Sequence, residues 1–127
     1  MTTAPTLQSL IADRWIGSSA AAALKSAVNG KTVYHTHSES IDFAEALHHA
    51  RTTGGPALLA LDFQQRAARL KALAAYLMEH KEKLYPVSAH TGATRADGWV
   101  DIEGGAGTLF AYAAVGAGEL PSGNVVH

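Results

Sequence analysis

The 127-residue chain contains no cysteine. That absence excludes a disulfide framework, a cysteine nucleophile and a cysteine zinc cage within this segment. Charge of one sign is also missing. Ten Lys and Arg stand against eleven Asp and Glu, so neither a basic patch for nucleic acid nor an acidic tail for a basic partner is present. Long hydrophobic runs are missing too. The longest clearly apolar stretch, Ala20 to Leu24, is far shorter than the roughly 20 residues a helix needs to span a bilayer. The opening Met1-Thr2-Thr3-Ala4-Pro5-Thr6 has neither a basic n-region nor an apolar h-region, so no secretory leader is expected and a cytoplasmic protein is. No internal repeat occurs, and no low-complexity tract beyond Ala20 to Ala23. The length suits one domain with a modest core.

What is present begins with short strand signals. Residues 1–6 are expected to fray. Leu7 to Ile16, broken by Ala12-Asp13, reads as two short strands or a hairpin. Gly17-Ser18-Ser19 reads as a turn. Leu24 to Val28 predicts a strand, Asn29-Gly30 a hairpin turn, and the alternating Lys31 to Thr36 another strand. From Asp42 the period changes. Asp42 with Glu45 resembles a capping box, and the spacing predicts a helix from about Phe43 to Thr53, stopped by Gly54-Gly55-Pro56. Asp62 and Gln65 repeat the capping arrangement before the strongest helix. Its expected buried stripe is Phe63, Ala67, Leu70, Leu73, Ala74 and Leu77. A new turn is expected near His80 to Lys83, a kink at Pro86, and a stop at Gly92.

The run from Thr91 to Phe110 is the most informative. Trp99, Ile102, Ala106, Leu109, Phe110 and Ala113 recur at helix spacing, yet Gly104, Gly105 and Gly107 lie among them. Each glycine inside a helix costs about 1 kcal/mol relative to alanine. Close approach of another backbone, or room for a ligand, would compensate. The helix is expected from about Ala96 to Ala114.

Several groups invite a functional reading. His35 and His37, two apart on a strand, could face one metal with Glu39 nearby; a polar edge strand is the plainer account. His48 and His49 point roughly 100° apart on a helix and form no shared site. Gly104-Gly105-Ala106-Gly107-Thr108 lacks the lysine of a phosphate loop and the preceding strand of a dinucleotide fingerprint. Asp97 and Asp101, with Glu103 and Arg95 close by, could form a catalytic pair or a solvated first helical turn. Serine and histidine occur without a nucleophile elbow, so acyl transfer has no support. No metal site is assigned.

The order of elements, with Gln65-Arg66-Ala67 on the long helix and Leu109-Phe110-Ala111-Tyr112-Ala113 on the last, resembles the N-terminal quarter of the aldehyde dehydrogenase superfamily. Ser88 to Gly105 and Gly107-Thr108-Leu109-Phe110 resemble one branch. In that branch of phenylacetate degradation an aldehyde dehydrogenase is fused to a ring-opening enoyl-CoA hydratase. The resemblance implies an α+β fragment of an α/β aldehyde dehydrogenase fold. Residues 1–127 would be an incomplete part of the cofactor-binding domain: small strands, then about four helical segments, with the nucleotide-binding sheet mostly absent. It implies oxidation of a coenzyme A-linked semialdehyde with NAD(P), either NAD or NADP. The intact relative would be a homo-oligomer without nucleic-acid or membrane partners. The family's cysteine, glutamate, asparagine and cofactor-binding residues would lie beyond His127. The chain alone is therefore expected to hold no catalytic or cofactor-binding residue and to be inactive, its partner being the remainder of the polypeptide. By the same resemblance Gly104, Gly105 and Thr108 would border the substrate tunnel, close helix packing being the alternative for the glycines. A free-standing helical dimerisation module is the contrasting expectation for the whole chain.

Overall fold

The computed structural model describes residues 4–17 and 22–124. It divides into two compact units. The first comprises the chain up to Gly54 together with His90–Gly92; the second comprises Gly55–Ala89 and the chain from Ala93.

In the first unit β1 (Ser9–Ile11) pairs antiparallel with β2 (Arg14–Ile16), Leu10 opposite Trp15. The connecting Ala12 and Asp13 have φ of 47° and 61°, the left-handed dihedrals that match the twist of a tight hairpin. The expected turn at Gly17-Ser18-Ser19 falls largely outside the described residues. β3 (Ala22–Lys25) pairs antiparallel with β4 (Thr32–Thr36). β3 ends earlier than the sequence predicts. Ser26 leaves the ladder to build the loop: its hydroxyl accepts from the Val28 amide at 3.2 Å, and its amide donates to the Lys31 carbonyl at 2.9 Å. Gly30 takes φ +70°, as the Asn29-Gly30 signal requires. Of the terminal residues expected to fray, Pro5 and Thr6 lie along β4. The His35 amide donates to the Pro5 carbonyl at 2.9 Å, and Leu7 donates to the His35 carbonyl at 2.8 Å. His90 belongs here too: its carbonyl accepts from Ala27 at 2.8 Å and its Nδ1 lies 3.3 Å from the buried Ser26 hydroxyl.

α1 (Phe43–His49) starts where Asp42 accepts from the Glu45 amide at 2.9 Å. It passes into a π-helical turn, Ala50–Gly54. The expected stop at Gly54-Gly55-Pro56 does not occur. Gly54 is not left-handed, and the second unit opens with α2 (Gly55–Leu59). Pro56 stands in the first turn of α2, where its fixed φ is helical and an amide hydrogen is not needed.

The second unit is built on α3 (Phe63–Glu79) and α6 (Gly105–Gly118), the most extensively packed pair of elements. The Asp62–Gln65 capping box is complete: Asp62 accepts from the Gln65 amide at 2.7 Å and Gln65 accepts from the Asp62 amide at 3.0 Å. α4 (Lys81–Ala89) carries Pro86 within it, and Gly92 turns the chain after it with φ +91°. α5 (Arg95–Trp99) then leads through a second π turn, Val100–Gly104, into α6. The glycine-bearing helix thus spans 95–118, not 96–114, and carries a π turn that the 3.6-residue period did not announce.

The core is small and made of small residues. Among the described residues the buried apolar side chains are Ala67, Ala74, Tyr85, Ala106 and Ala113, and no large side chain is fully enclosed. The expected leucine stripe of α3 is corrected accordingly. Ala67 and Ala74 are buried, but Leu73 is 49% exposed and Phe63, Leu70 and Leu77 are half-buried. Close approach of α6 selects the alanines for contact and leaves the leucines at the flanks. Among the described residues no helix is long and apolar enough to cross a membrane.

Candidate functional site

The glycine helix carries the sequence-predicted site. A Cβ built at Gly104, Gly105 or Gly107 meets no atom within 4 Å. Among the described residues nothing packs against these three glycines, and their face is open. Close approach is instead the work of two other glycines. At Gly116 a Cβ would stand 3.2 Å from that of Ala67, and at Gly98 it would stand 3.1 Å from the Ser88 hydroxyl and 3.3 Å from the Tyr85 ring. Thr108 is placed beside Gly104, but its hydroxyl donates back to the Gly104 carbonyl at 3.1 Å. Its proton is engaged, and its lone pairs remain available to accept.

The carboxylates are drawn apart. Asp97 closes a capping box with Thr94: its carboxylate accepts from the Thr94 hydroxyl at 2.7 Å and the Thr94 amide at 3.0 Å. These bonds hold the Asp97 carboxyl below the usual range. Asp101 lies exposed in the π turn. Glu103 accepts from the Tyr85 hydroxyl at 2.8 Å and pairs with Lys81 at 3.0 Å. The Tyr85 bond first, then the Lys81 bond, holds the Glu103 carboxyl below its ordinary value. No catalytic dyad forms. Arg95 reaches Glu82 at 3.0 Å and stacks 3.4 Å over the Tyr85 ring. An alternating array results: Lys81, Glu103, Tyr85, Arg95, Glu82. Burial and the Glu103 bond push the Tyr85 phenol up. Beside it opens a cleft of about 340 Å³ lined by Tyr85, Pro86, Ser88, Thr94 and Arg95 among others. Tyr85, Lys81 and Glu82 were missed by sequence reasoning. Lys81 and Tyr85 sit four apart on one helix face, but their link to Glu103 is long-range and leaves no local signal.

The histidines do not assemble. His35 Nδ1 lies 3.3 Å from the Ala4 carbonyl, and His37 Nδ1 lies 3.2 Å from the Ser40 hydroxyl. His37 Nε2 is buried with no hydrogen-bond partner among the described residues, beside a cavity of about 300 Å³ that Glu39 also lines. No group of three or more metal-ligating side chains occurs among the described residues. His48 and His49 occupy the last turn of α1, which continues into the π turn.

No family model matches the chain. Over 112 residues, 87% of its length, it is 38% identical to the 3,4-dehydroadipyl-CoA semialdehyde dehydrogenase of Aromatoleum evansii. It covers 22% of that protein. The chain is thus similar to a segment of a dehydrogenase, and spans about a fifth of the length of the curated relative it matches.

Proposed function

We propose that this chain is the N-terminal portion of an NAD(P)-dependent aldehyde dehydrogenase. The intact enzyme, a homo-oligomer, oxidises a coenzyme A-linked semialdehyde to the acid in aromatic (phenylacetate) catabolism. The observation that carries this is the 38% identity across 87% of the chain to a protein named for such a substrate. The chain's own residues do not fit the cofactor. Its glycine cluster lies in a π turn and a helix, with no strand leading into it and no lysine after it, so no dinucleotide cradle can be built there. Nor does the chain supply the thiol that attacks an aldehyde, since it has no cysteine. Its contribution is a wall. The open faces of Gly104 and Gly105, with Thr108 as an acceptor, leave room for a long thioester chain.

One experiment tests the reading. The polypeptide encoded by the uninterrupted reading frame is assayed with a coenzyme A-linked semialdehyde and with a short aldehyde. The long frame is expected to oxidise both, and residues 1–127 neither. Gly104→Leu in the long frame should raise KM for the coenzyme A substrate and spare the short aldehyde and the melting temperature. A frame that supplies no oxidation sinks the dehydrogenase reading and leaves the interaction module. Equal damage to both substrates, with lower stability, sinks the tunnel wall alone.

A further inference from the structure

The second unit contains a cation without a counterion. Arg66, near the start of α3, donates through Nε to the Leu58 carbonyl at 3.0 Å, and its guanidinium lies 5.3 Å from the Phe63 ring centre. Its Nη2 is buried and has no hydrogen-bond partner among the described residues. The ion pairs among those residues are Arg14–Glu45, Lys81–Glu103 and Arg95–Glu82, and none includes Arg66. A guanidinium cannot shed its proton, so it cannot escape a desolvated position by becoming neutral. A buried charged N–H with no acceptor is among the costlier defects in a fold.

The surroundings have a definite chemistry. Leu58 and Leu59 are 57% and 62% exposed. They are held in place from behind: Asn124 Nδ2 donates to the Leu59 carbonyl at 2.7 Å, and the Phe63 amide donates to the Gly123 carbonyl at 2.8 Å. An anchored apolar shoulder therefore adjoins an uncompensated cation. Arg66 as a residue is only half-buried, so part of its side chain reaches the surface although Nη2 does not. A carboxylate is the acceptor whose two oxygens match that fork.

We propose that Arg66 receives a carboxylate side chain, flanked by apolar residues that cover Leu58 and Leu59, from the part of the dehydrogenase polypeptide that lies outside this chain. The occupant's identity rests on the reading under Proposed function. Charge complementarity selects an acid. The match covers 22% of the relative, so most of such a polypeptide remains to supply it, and a tethered segment outcompetes free partners through its high effective concentration. A carboxylate arriving at the exposed part of the side chain pairs with it once the guanidinium turns to bring Nη2 to the surface, and the unpaired Nη2 becomes one prong of a bidentate pair.

The test uses the 127-residue chain labelled with 15N at arginine. It is titrated with 4-methylpentanoate and, at matched ionic strength, with 4-methylpentanamide. The acid is expected to shift the Arg66 Nε–Hε resonance saturably and to raise the melting temperature; the amide is expected to do neither. Arg66→Met should abolish the melting response. Arg66→Lys keeps the charge without the fork and should respond roughly threefold more weakly. If the methionine variant does not fold, the lysine variant and the wild-type resonance decide. Acid and amide acting alike, or a folded Arg66→Met that still responds, overturns the carboxylate site. The polypeptide from the long reading frame should not respond, because its site is filled from within; a response there overturns the assigned occupant. A long frame that lacks dehydrogenase activity refutes the functional reading and the occupant with it, while the acid-versus-amide comparison on the short chain stands by itself.

Discussion

Tyr85 joins three oppositely charged neighbours through one ring. Its hydroxyl donates to Glu103, Arg95 lies on its face, and Glu82 holds Arg95 in place. Because the Glu103 carboxyl is lowered from 4.5 in the folded chain, its contribution to stability is fully present above that value. The contribution is lost as pH falls through the folded value. Tyr85 has the opposite sign: its phenol is raised from 10.0, so its contribution holds below that pH and is lost as pH rises through the folded value. Tyr85→Phe removes the strongest of the bonds that lower Glu103 and leaves those of Lys81 and Trp99. Carbon-detected NMR titration of Glu103 should therefore show its midpoint moving up toward 4.5 in the variant. Acid unfolding should be less steep as pH falls below 4.5. An unmoved midpoint would mean that Lys81 and Trp99 hold the carboxylate without the phenol.

The pairing of α3 with α6 shows how differently two kinds of glycine behave in one helix. Gly116 faces Ala67, whose Cβ cannot swing away, so Gly116→Leu should force the helices apart and cost about 1–3 kcal/mol. Gly107 faces open space with a helical backbone, so Gly107→Ala should stabilise the isolated chain by about 1 kcal/mol. Denaturant unfolding of the two variants checks both signs; a destabilising Gly107→Ala would show that its face is covered after all. The sequence could not distinguish these glycines, because the difference lies in what crosses them from 50 residues away. What it did reveal was local chemistry. Asp62 with Gln65 predicted the start of α3, Ala12-Asp13 broke the first hairpin, and Asn29-Gly30 turned the second. Misreadings came where local rules were overruled. Gly-Gly-Pro did not stop a helix whose proline fell in a first turn, and the leucines of α3 were outcompeted for contact by alanines. Of the candidate site, the glycine face was legible as an anomaly, while the Tyr85 array required the fold.

For the chain as a whole, apolar surface outside the core dominates. In the second unit Leu58, Leu59, Leu73, Tyr76, Trp99, Val100 and Tyr112 are between 49% and 67% exposed, against a core of alanines and one tyrosine. Contiguous patches of that kind mark interaction surfaces. The isolated chain should therefore bind a hydrophobic dye and show a weight-average mass that rises with concentration in sedimentation equilibrium. The polypeptide of the long reading frame should not bind the dye at these helices. A strictly monomeric, dye-silent 127-residue chain would contradict this.

Both π turns, Ala50–Gly54 and Val100–Gly104, run into a second glycine, Gly55 and Gly105. A π turn accommodates one residue more than the α-helical turn it replaces. Removal of one residue at either place would leave an ordinary helix, with everything on one side of the cut turned by about 100° relative to the other. At the second turn that rotation would carry Glu103 away from Tyr85 or swing the Gly116 face off α3. Length changes of a single residue are therefore cheap for the backbone here and expensive for the side chains. These two glycine pairs are where an insertion or deletion between this chain and its relatives would be accommodated without breaking a helix.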